Sequence, residues 1–301
     1  MVCLICANST DNKTRYHKNC IKKMFGTDEI PLLNFSLSDI NIEAQKMAGK
    51  LSISGVQPKI SVKLNLNNNS IEPVAESGEY ILKPQSQSFN NLPENEFICS
   101  ILAGKMGINV SEIALLELKG GSFAYIVKRF DRNKGSKIHV EDFIQILGNK
   151  DKYKGSYEEI GKKLKTISEV PGFDVQLFFE RVLFYYIIGN GDAHLKNFSI
   201  IYGNGNRIRL APAYDIVSSK IVLPDEEDLA LTINGKKNHI KKNDFLSFAE
   251  YLGINKKYTN EVIEKFMNTG PVLKNISGIN DGIFENLCRI IQNRTQSFLV
   301  A

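Results

Sequence analysis

Apolar and polar positions change period along this chain, and the change divides it. Ile60-Ser61-Val62-Lys63-Leu64 alternates with period two and predicts a strand, reached from a first β segment at residues 51–56 through Gln57-Pro58-Lys59. Asn67-Asn68-Asn69 marks a turn, and residues 79–84, 113–118 and 123–129 predict further strands. Between them Pro93 opens a helix with Phe97, Ile98, Ile101 and Leu102 on one face and Gly107 just past its end. After Asp131 the period becomes helical, over residues 141–147, 157–167, 175–188, 242–252, 259–267 and 283–298. A hairpin of residues 198–202 and 207–210 around Gly203-Asn204-Gly205 interrupts the helices.

This order predicts an α+β, bilobal, protein-kinase-like fold. A β-rich N-lobe at 31–132 is followed by a mainly α-helical C-lobe at 133–301, joined near residues 128–133, and a small Cys/His module occupies residues 1–30. At 301 residues the chain is long enough for two cores. Its 43% hydrophobic and 24% charged residues are those of a globular protein. A net charge of +5 suits a polyphosphate or an acidic partner but is too weak, with no long Lys/Arg stripe, to argue direct DNA binding.

No apolar run approaches the ~20 residues that span a bilayer, and the N-terminus is polar where a secretory leader would be apolar. The expectation is a cytoplasmic protein without membrane contact, in which the five cysteines do not form a disulfide framework. Cys99 and Cys288 fall in apolar helical patterns and read as core residues. Cys3-x2-Cys6 and His17-x2-Cys20 are different: paired ligands across a short loop grip a structural Zn²⁺, and the bland alternative is two incidental thiol pairs.

The chemistry concentrates in Gly189-Asn190-Gly191-Asp192-Ala193-His194-Leu195-Lys196-Asn197-Phe198, followed by Tyr214-Asp215. Phosphoryl transfer from ATP needs a carboxylate for the acceptor's proton, and an amide oxygen with a second carboxylate for Mg²⁺. Asp192 suits the first role, Asn197 and Asp215 the second. His194 either touches the site or holds the loop through backbone hydrogen bonds; Lys196 either neutralises the transferring phosphate or is an exposed lysine. Ser52-Ile53-Ser54-Gly55-Val56-Gln57-Pro58-Lys59 reads as a phosphate-covering loop, where Gly55 lets backbone N–H groups approach and Lys59 adds a charge. Lys83 ends a strand and is placed to reach phosphates, with Glu96, or less favourably Glu94, on the next helix as its partner. Asp131 suits an interlobe salt bridge.

Several segments together resemble the HipA family of Ser/Thr kinases, the toxins of bacterial toxin–antitoxin pairs. They are residues 52–59, Tyr80-Ile81-Leu82-Lys83-Pro84, Val127-Lys128-Arg129-Phe130-Asp131-Arg132, Glu141-Asp142-Phe143-Ile144-Gln145, residues 191–198 and Leu210-Ala211-Pro212-Ala213-Tyr214-Asp215. The resemblance implies an ATP- and Mg²⁺-dependent protein kinase with Asp192 as base and Asn197 and Asp215 as metal ligands. It implies nucleotide contacts from Ser54, Gly55, Val56, Gln57, Lys59, Lys83, His194, Lys196 and Tyr214, with Lys128, Arg129 and Phe130 as the hinge near the adenine. It further implies an aminoacyl-tRNA synthetase as substrate, growth arrest as outcome, and inhibition by autophosphorylation at Ser52, with Ser54 as an additional site. A cognate antitoxin is the implied partner, with DNA contacted only through it. The chain has no room for the extra N-terminal subdomain of full-length HipA proteins and looks like the shorter HipT type, which works with a separate HipS-like protein. The Cys/His module departs from the best-known members. Two alternatives remain: a small-molecule or lipid phosphotransferase, whose catalytic loops share Gly-Asp-x-His-x-x-Asn, and a pseudokinase co-repressor scaffold.

Overall fold

Five antiparallel strands build the first sheet: β1 (Ile60–Asn65), β2 (Ser70–Pro73), β3 (Tyr80–Pro84), β4 (Ile113–Glu117) and β5 (Phe123–Lys128), in the order β2-β1-β3-β5-β4. The computed structural model describes residues 1–10, 14–33, 39, 57–86, 88–133, 135–203, 205, 207–273, 276 and 278–299. The strand expected at 51–56 and the loop residues Ser52, Ser54, Gly55 and Val56 lie outside the described residues. The chain divides into two units. The first comprises Met1–Ile101, Ser111–Ser136 and Asn275–Phe284, and the second Leu102–Val110, Lys137–Lys274 and Glu285–Ala301.

In the first unit both faces of the sheet are covered. That is why β4 reads Ile113-Ala114-Leu115-Leu116, a continuous apolar run without alternation. One face buries Ile60, Val62, Tyr80, Leu82, Ala114, Leu116, Ala124 and Ile126 against the N-terminal module, including Ile5, Ile21, Met24 and Phe25. Ile21, Met24 and Phe25 come from helix α1 (Lys18–Phe25), whose end is set by Gly26 at φ 75°. The periodicity did not reveal this helix, because only those three positions in it are apolar and buried. The opposite face carries Lys83 and Tyr125, paired in register, beneath helix α2 (Leu92–Lys105).

The second unit is organised around helix α5 (Pro171–Ile188), which starts four residues before the pattern predicts because Pro171 pre-organises its first turn. Every residue from Phe178 to Ile188 is buried, so this helix lacks an amphipathic face and forms the centre of the core. Around it lie α3 (Phe143–Leu147), α4 (Tyr157–Ile167), α6 (Lys242–Tyr251), α7 (Lys256–Met267), the single turn α8 (Gly270–Leu273) and α9 (Asp281–Leu299). Ser156 and Glu159 close a capping box at the start of α4, and Asp142 with Gln145 does so for α3. The second box corrects the helix expected at 141–147: Glu141 and Asp142 belong to strand β6 (Val140–Asp142), and the helix starts only after its cap. Strand β6 pairs with β7 (Ser199–Tyr202), which pairs with β8 (Ile208–Leu210), all antiparallel.

The polar loop leaves the C-terminus of α5 at Gly189, where φ is 71° and the N–H caps Tyr185 and Tyr186. Beyond it, a Cβ at Gly191 would meet the Glu226 carboxyl at 2.7 Å and also strike the Glu227 carbonyl. The loop returns to the core at Phe198, wholly buried, with ring centroids 5.3 Å from Phe178 and 5.8 Å from both Tyr157 and Tyr185. Asp131, expected to bridge the lobes, forms local ion pairs with Arg129 (2.7 Å) and Arg132 (2.6 Å). Burial opposes its ionisation, yet these guanidiniums hold its carboxyl below the ordinary value. Cys99 is buried as expected, whereas Cys288 is only half-buried.

Two substitutions test the anchoring from opposite directions. Phe198→Ala should cost about 3–5 kcal/mol in urea unfolding, the range for emptying a buried aromatic site. Gly191→Ala should cost about 1–3 kcal/mol by overpacking. Adding Glu226→Ala should not restore stability, because the Glu227 carbonyl would still obstruct the new methyl.

Candidate active site

In the second unit Asp192 and Asn197, on the loop, and Asp215, beyond β8, lie about His194. The His194 N–H donates to the Asp192 carbonyl (2.8 Å) and to Asn197 Oδ1 (3.0 Å), so the 3₁₀ turn Leu195–Asn197 is closed by its own asparagine. Asp192 and Asp215 both act electrostatically on the His194 ring. Burial pushes that ring down to about 4; Asp192 works against the shift and Lys152 with it. His194 is therefore neutral at physiological pH, and its backbone does the loop-holding that the sequence left open. Asn197 is buried, while Asp192 and Lys196 are exposed.

Asp215 sits at φ 53°, in the left-handed region that disfavours a residue carrying a Cβ. Strain of this kind persists where surrounding structure imposes it, and it gathers at functional positions. Tyr214 fixes the preceding position: its hydroxyl donates to the Lys196 carbonyl (2.7 Å) and pairs with Ser199 Oγ. Asp215 is thereby tied to the strand that follows Asn197. The donors offered by Asn197 and Asp215 are an amide oxygen and a carboxylate, hard ligands of the type Mg²⁺ takes.

Four residues that no sequence pattern marked meet this loop, two of them at its chemical side chains. The Tyr153 hydroxyl donates to Asp192 Oδ1 at 2.7 Å, and Lys152 Nζ lies 2.7 Å from His194 Nε2. Burial, then the Asp192 charge, push the Tyr153 phenol up, so it remains a neutral donor. The Lys152 carbonyl also accepts from Leu195 N (3.1 Å), and Tyr157 Oη donates to the Ala193 carbonyl (2.9 Å). No periodicity marks Lys152 and Tyr153; the available signal was a lone aromatic in the polar run Asn149–Gly155. Ser219 and Glu226, which receive the Gly191 N–H at 2.8 and 3.3 Å, were equally silent.

In the first unit Lys83 and Glu96 form a buried ion pair of 2.5 Å, with side chains 4% and 2% exposed. This resolves the choice between glutamates, since Glu94 instead meets Asn280 at 3.5 Å. Lys83 Nζ also lies 5.5 Å from the centre of the Tyr125 ring. Gln57 Nε2 donates to the Pro84 carbonyl (2.9 Å), which holds the segment entering β1 beside the end of β3. Lys59 and Lys128 are exposed, and Phe130 is half-buried. Arg129 N donates to the Glu79 carbonyl (2.8 Å), extending the β5–β3 pairing by one step. At the N-terminus, one ligand atom from each of Cys3, Cys6, His17 and Cys20 lies within 4.8 Å of the others. Among the described residues no helix is long and apolar enough to cross a membrane.

Residues 51–271 match the HipA-like C-terminal domain. Y4dM of Sinorhizobium fredii is 34% identical over 75% of this chain and 60% of its own length. A Haemophilus influenzae protein that, like Y4dM, carries a kinase name is 32% identical over 79% of this chain and 76% of its own. The serine/threonine-protein kinase toxin HipA of Shewanella oneidensis is 28% identical over 68% of this chain and 52% of its own. Among solved structures, Shewanella oneidensis HipA, in a complex with HipB and operator DNA, superposes with a TM-score of 0.68 at 23% identity, over 83% of this chain and 65% of that one. The Helicobacter pylori proinflammatory kinase CtkA gives 0.51 at 16% identity, over 79% and 93%. The fold is thus the α+β, protein-kinase-like fold of these enzymes, and the chain belongs to the HipA-like C-terminal domain family.

Proposed function

We propose that this chain is an ATP- and Mg²⁺-dependent serine/threonine protein kinase acting as the toxin of a toxin–antitoxin pair. The observation that carries the reading is the gathering of Asp192, Asn197 and Asp215 around the neutral His194. Asn197 and Asp215 would hold Mg²⁺, which when bound neutralises charge on the transferring phosphate. Lys59 and Lys83 add positive charge at the phosphates, and Glu96 keeps the Lys83 ammonium in place. Lys128, Arg129 and Phe130 form the adenine hinge, with Lys196 and Tyr214 also in the nucleotide site.

Asp192 accepts the proton of the acceptor hydroxyl. In the structure a hydroxyl already donates to its Oδ1, that of Tyr153. A serine or threonine hydroxyl of the substrate would take the same place. The membership of a HipA-like family and the likeness to HipA support an aminoacyl-tRNA synthetase as substrate, and a DNA-binding antitoxin as partner in the cytoplasm. We assign the chain to the HipT type, with a HipS-like protein completing the partnership and autophosphorylation of Ser52 or Ser54 as the off-switch.

Asp192→Asn should lower transfer of labelled γ-phosphate to protein in a lysate by about 10²–10⁴-fold, the contribution of a general base. Nucleotide binding should persist in that variant. Label appearing in a lipid or small-molecule extract instead of a protein band would favour the phosphotransferase alternative. Growth arrest undiminished by Asp192→Asn would favour a scaffold. For regulation, the double variant Ser52→Ala with Ser54→Ala should lose self-labelling on phosphopeptide mass spectrometry and still bind ATP; phosphate retained in residues 51–59 would overturn the assignment.

A further inference from the structure

The Cys/His cluster lies outside the chemistry assigned above, and its surroundings give it a definite task. We propose that Cys3, Cys6, His17 and Cys20 bind one structural Zn²⁺, and that this ion locks the N-terminal segment as a strap across the sheet face opposite Lys83.

The ligand geometry comes first. Cys6 Sγ lies 3.4 Å from His17 Nδ1, and Cys20 Sγ lies 3.7 Å from the same nitrogen. Zn–S bonds of ~2.3 Å and Zn–N bonds of ~2.0–2.1 Å at tetrahedral angles place sulfur and nitrogen about 3.6 Å apart. The observed separations bracket that value. The other imidazole nitrogen, Nε2, is 3.1 Å from the Ser9 carbonyl. A carbonyl oxygen only accepts, so Nε2 carries the proton and Nδ1 turns its lone pair toward the sulfurs, as a supported metal-binding histidine does. Cys3 Sγ accepts from the His17 backbone N–H at 3.5 Å.

Disulfide chemistry explains the cluster less well. Three thiols leave one unpaired and give the imidazole no part. Three soft thiolates with one imidazole are a zinc donor set, and four protein ligands fill the tetrahedron, leaving no open position for catalysis. The backbone agrees: the turn carrying Cys3 and Cys6 ends with Ala7 at φ 58°, closed by the Ala7 N–H on the Cys3 carbonyl (2.9 Å). A left-handed alanine at that point is a conformation that an added constraint would hold.

Residues beside the ligands fasten the sheet. Leu4, between Cys3 and Cys6, accepts the Leu115 N–H at 2.8 Å. Tyr16, adjacent to His17, donates its hydroxyl to the Leu115 carbonyl at 2.9 Å. Both therefore cover the outer edge of β4, a terminal strand of the sheet. Helix α1, which carries Cys20, buries Ile21, Met24 and Phe25 on the sheet, and Tyr80 of β3 donates to the Met24 carbonyl at 3.1 Å. Farther along, the Leu32 N–H donates to the carbonyl of Asn69, just before the opposite edge strand β2 (2.8 Å), and its carbonyl accepts from Ile71 within that strand (2.9 Å). The strap thus runs from edge to edge. In β3, Leu82 faces it while Lys83, the next residue, faces α2.

The test uses the full chain and does not depend on kinase activity. Protein purified under reducing conditions should retain about one Zn²⁺ per chain by elemental analysis. After chelation it should take up Co²⁺ with the intense visible absorption of a tetrahedral thiolate site. Chelation should accelerate amide hydrogen exchange in β3, β4 and β5, on the order of tenfold or more, leaving α5 protected. His17→Cys, which preserves four ligands, should keep the metal with an altered Co²⁺ spectrum, whereas Cys20→Ser should lose it. Absence of stoichiometric metal together with no tetrahedral Co²⁺ spectrum would overturn the site, and iron in place of zinc would overturn its identity. Metal removal without change in β3–β5 exchange would overturn the strap. None of these outcomes bears on Asp192, so failure here is distinguishable from failure of the kinase reading.

Discussion

The burial of Phe198 is the contact on which the second unit's chemistry depends. The loop carrying Asp192, His194, Lys196 and Asn197 buries only the small Ala193 and Leu195 between its polar positions, little apolar surface to offset the entropy of ordering charged side chains. Phe198 supplies the missing anchor, seated among Tyr157, Phe178 and Tyr185 directly after the asparagine. Gly189 and Gly191 do the rest by letting the loop leave α5 where any side chain would collide. The polar residues are then held on a segment fixed at both ends, with His194 inside it bonding to its neighbours. Pre-organisation of this kind is what electrostatic catalysis requires, because dipoles that are already aimed need not reorient during transfer.

The first unit solves a different problem. Lys83 and Glu96 form an ion pair almost without access to water. Such a pair is costly to bury, and removing either partner would leave an uncompensated charge inside. The sheet tolerates it because the adjacent positions on β3, Tyr80 and Leu82, bury well on the other face. Alternation along one strand thus separates an apolar core from a polar pair by a single residue, and the two faces depend on each other through the backbone they share.

Much of this was legible in the chain. Periodicity located β1, β3, β4 and β5 to within a residue or so, and marked six of the seven described α-helices after Asp131 with starts up to four residues off, missing the single turn α8, because those patterns record burial directly. Lys83 with Glu96 was readable because the phosphoryl-transfer pattern pairs a strand lysine with a glutamate on the next helix, although Glu94 stood as the alternative. Other features were not readable, for physical reasons. Helix α1 is too short to show a period, and β2 depends on pairing rather than composition. Asp142 looks helical until its side chain is seen capping the next turn. Tyr153 approaches Asp192 across 39 residues of chain, and no local pattern records a contact at that distance. Asp215 differs again: its residue type was informative, but its left-handed backbone was invisible, since aspartate tolerates that region without requiring it.

The bond between Tyr16 and Leu115 joins residues 99 positions apart in the chain. During synthesis the N-terminal segment leaves the ribosome long before the edge strand it must cover. Its apolar positions, Ile21, Met24 and Phe25, therefore wait without their sheet while about a hundred residues are added, at ~5–20 residues per second. For those seconds the nascent chain exposes these apolar side chains and three thiols. The order of the gene thus sets an interval in which the chain is most open to aggregation and oxidation, and a local clasp on residues 3–20 is the only part of the strap that can form within it.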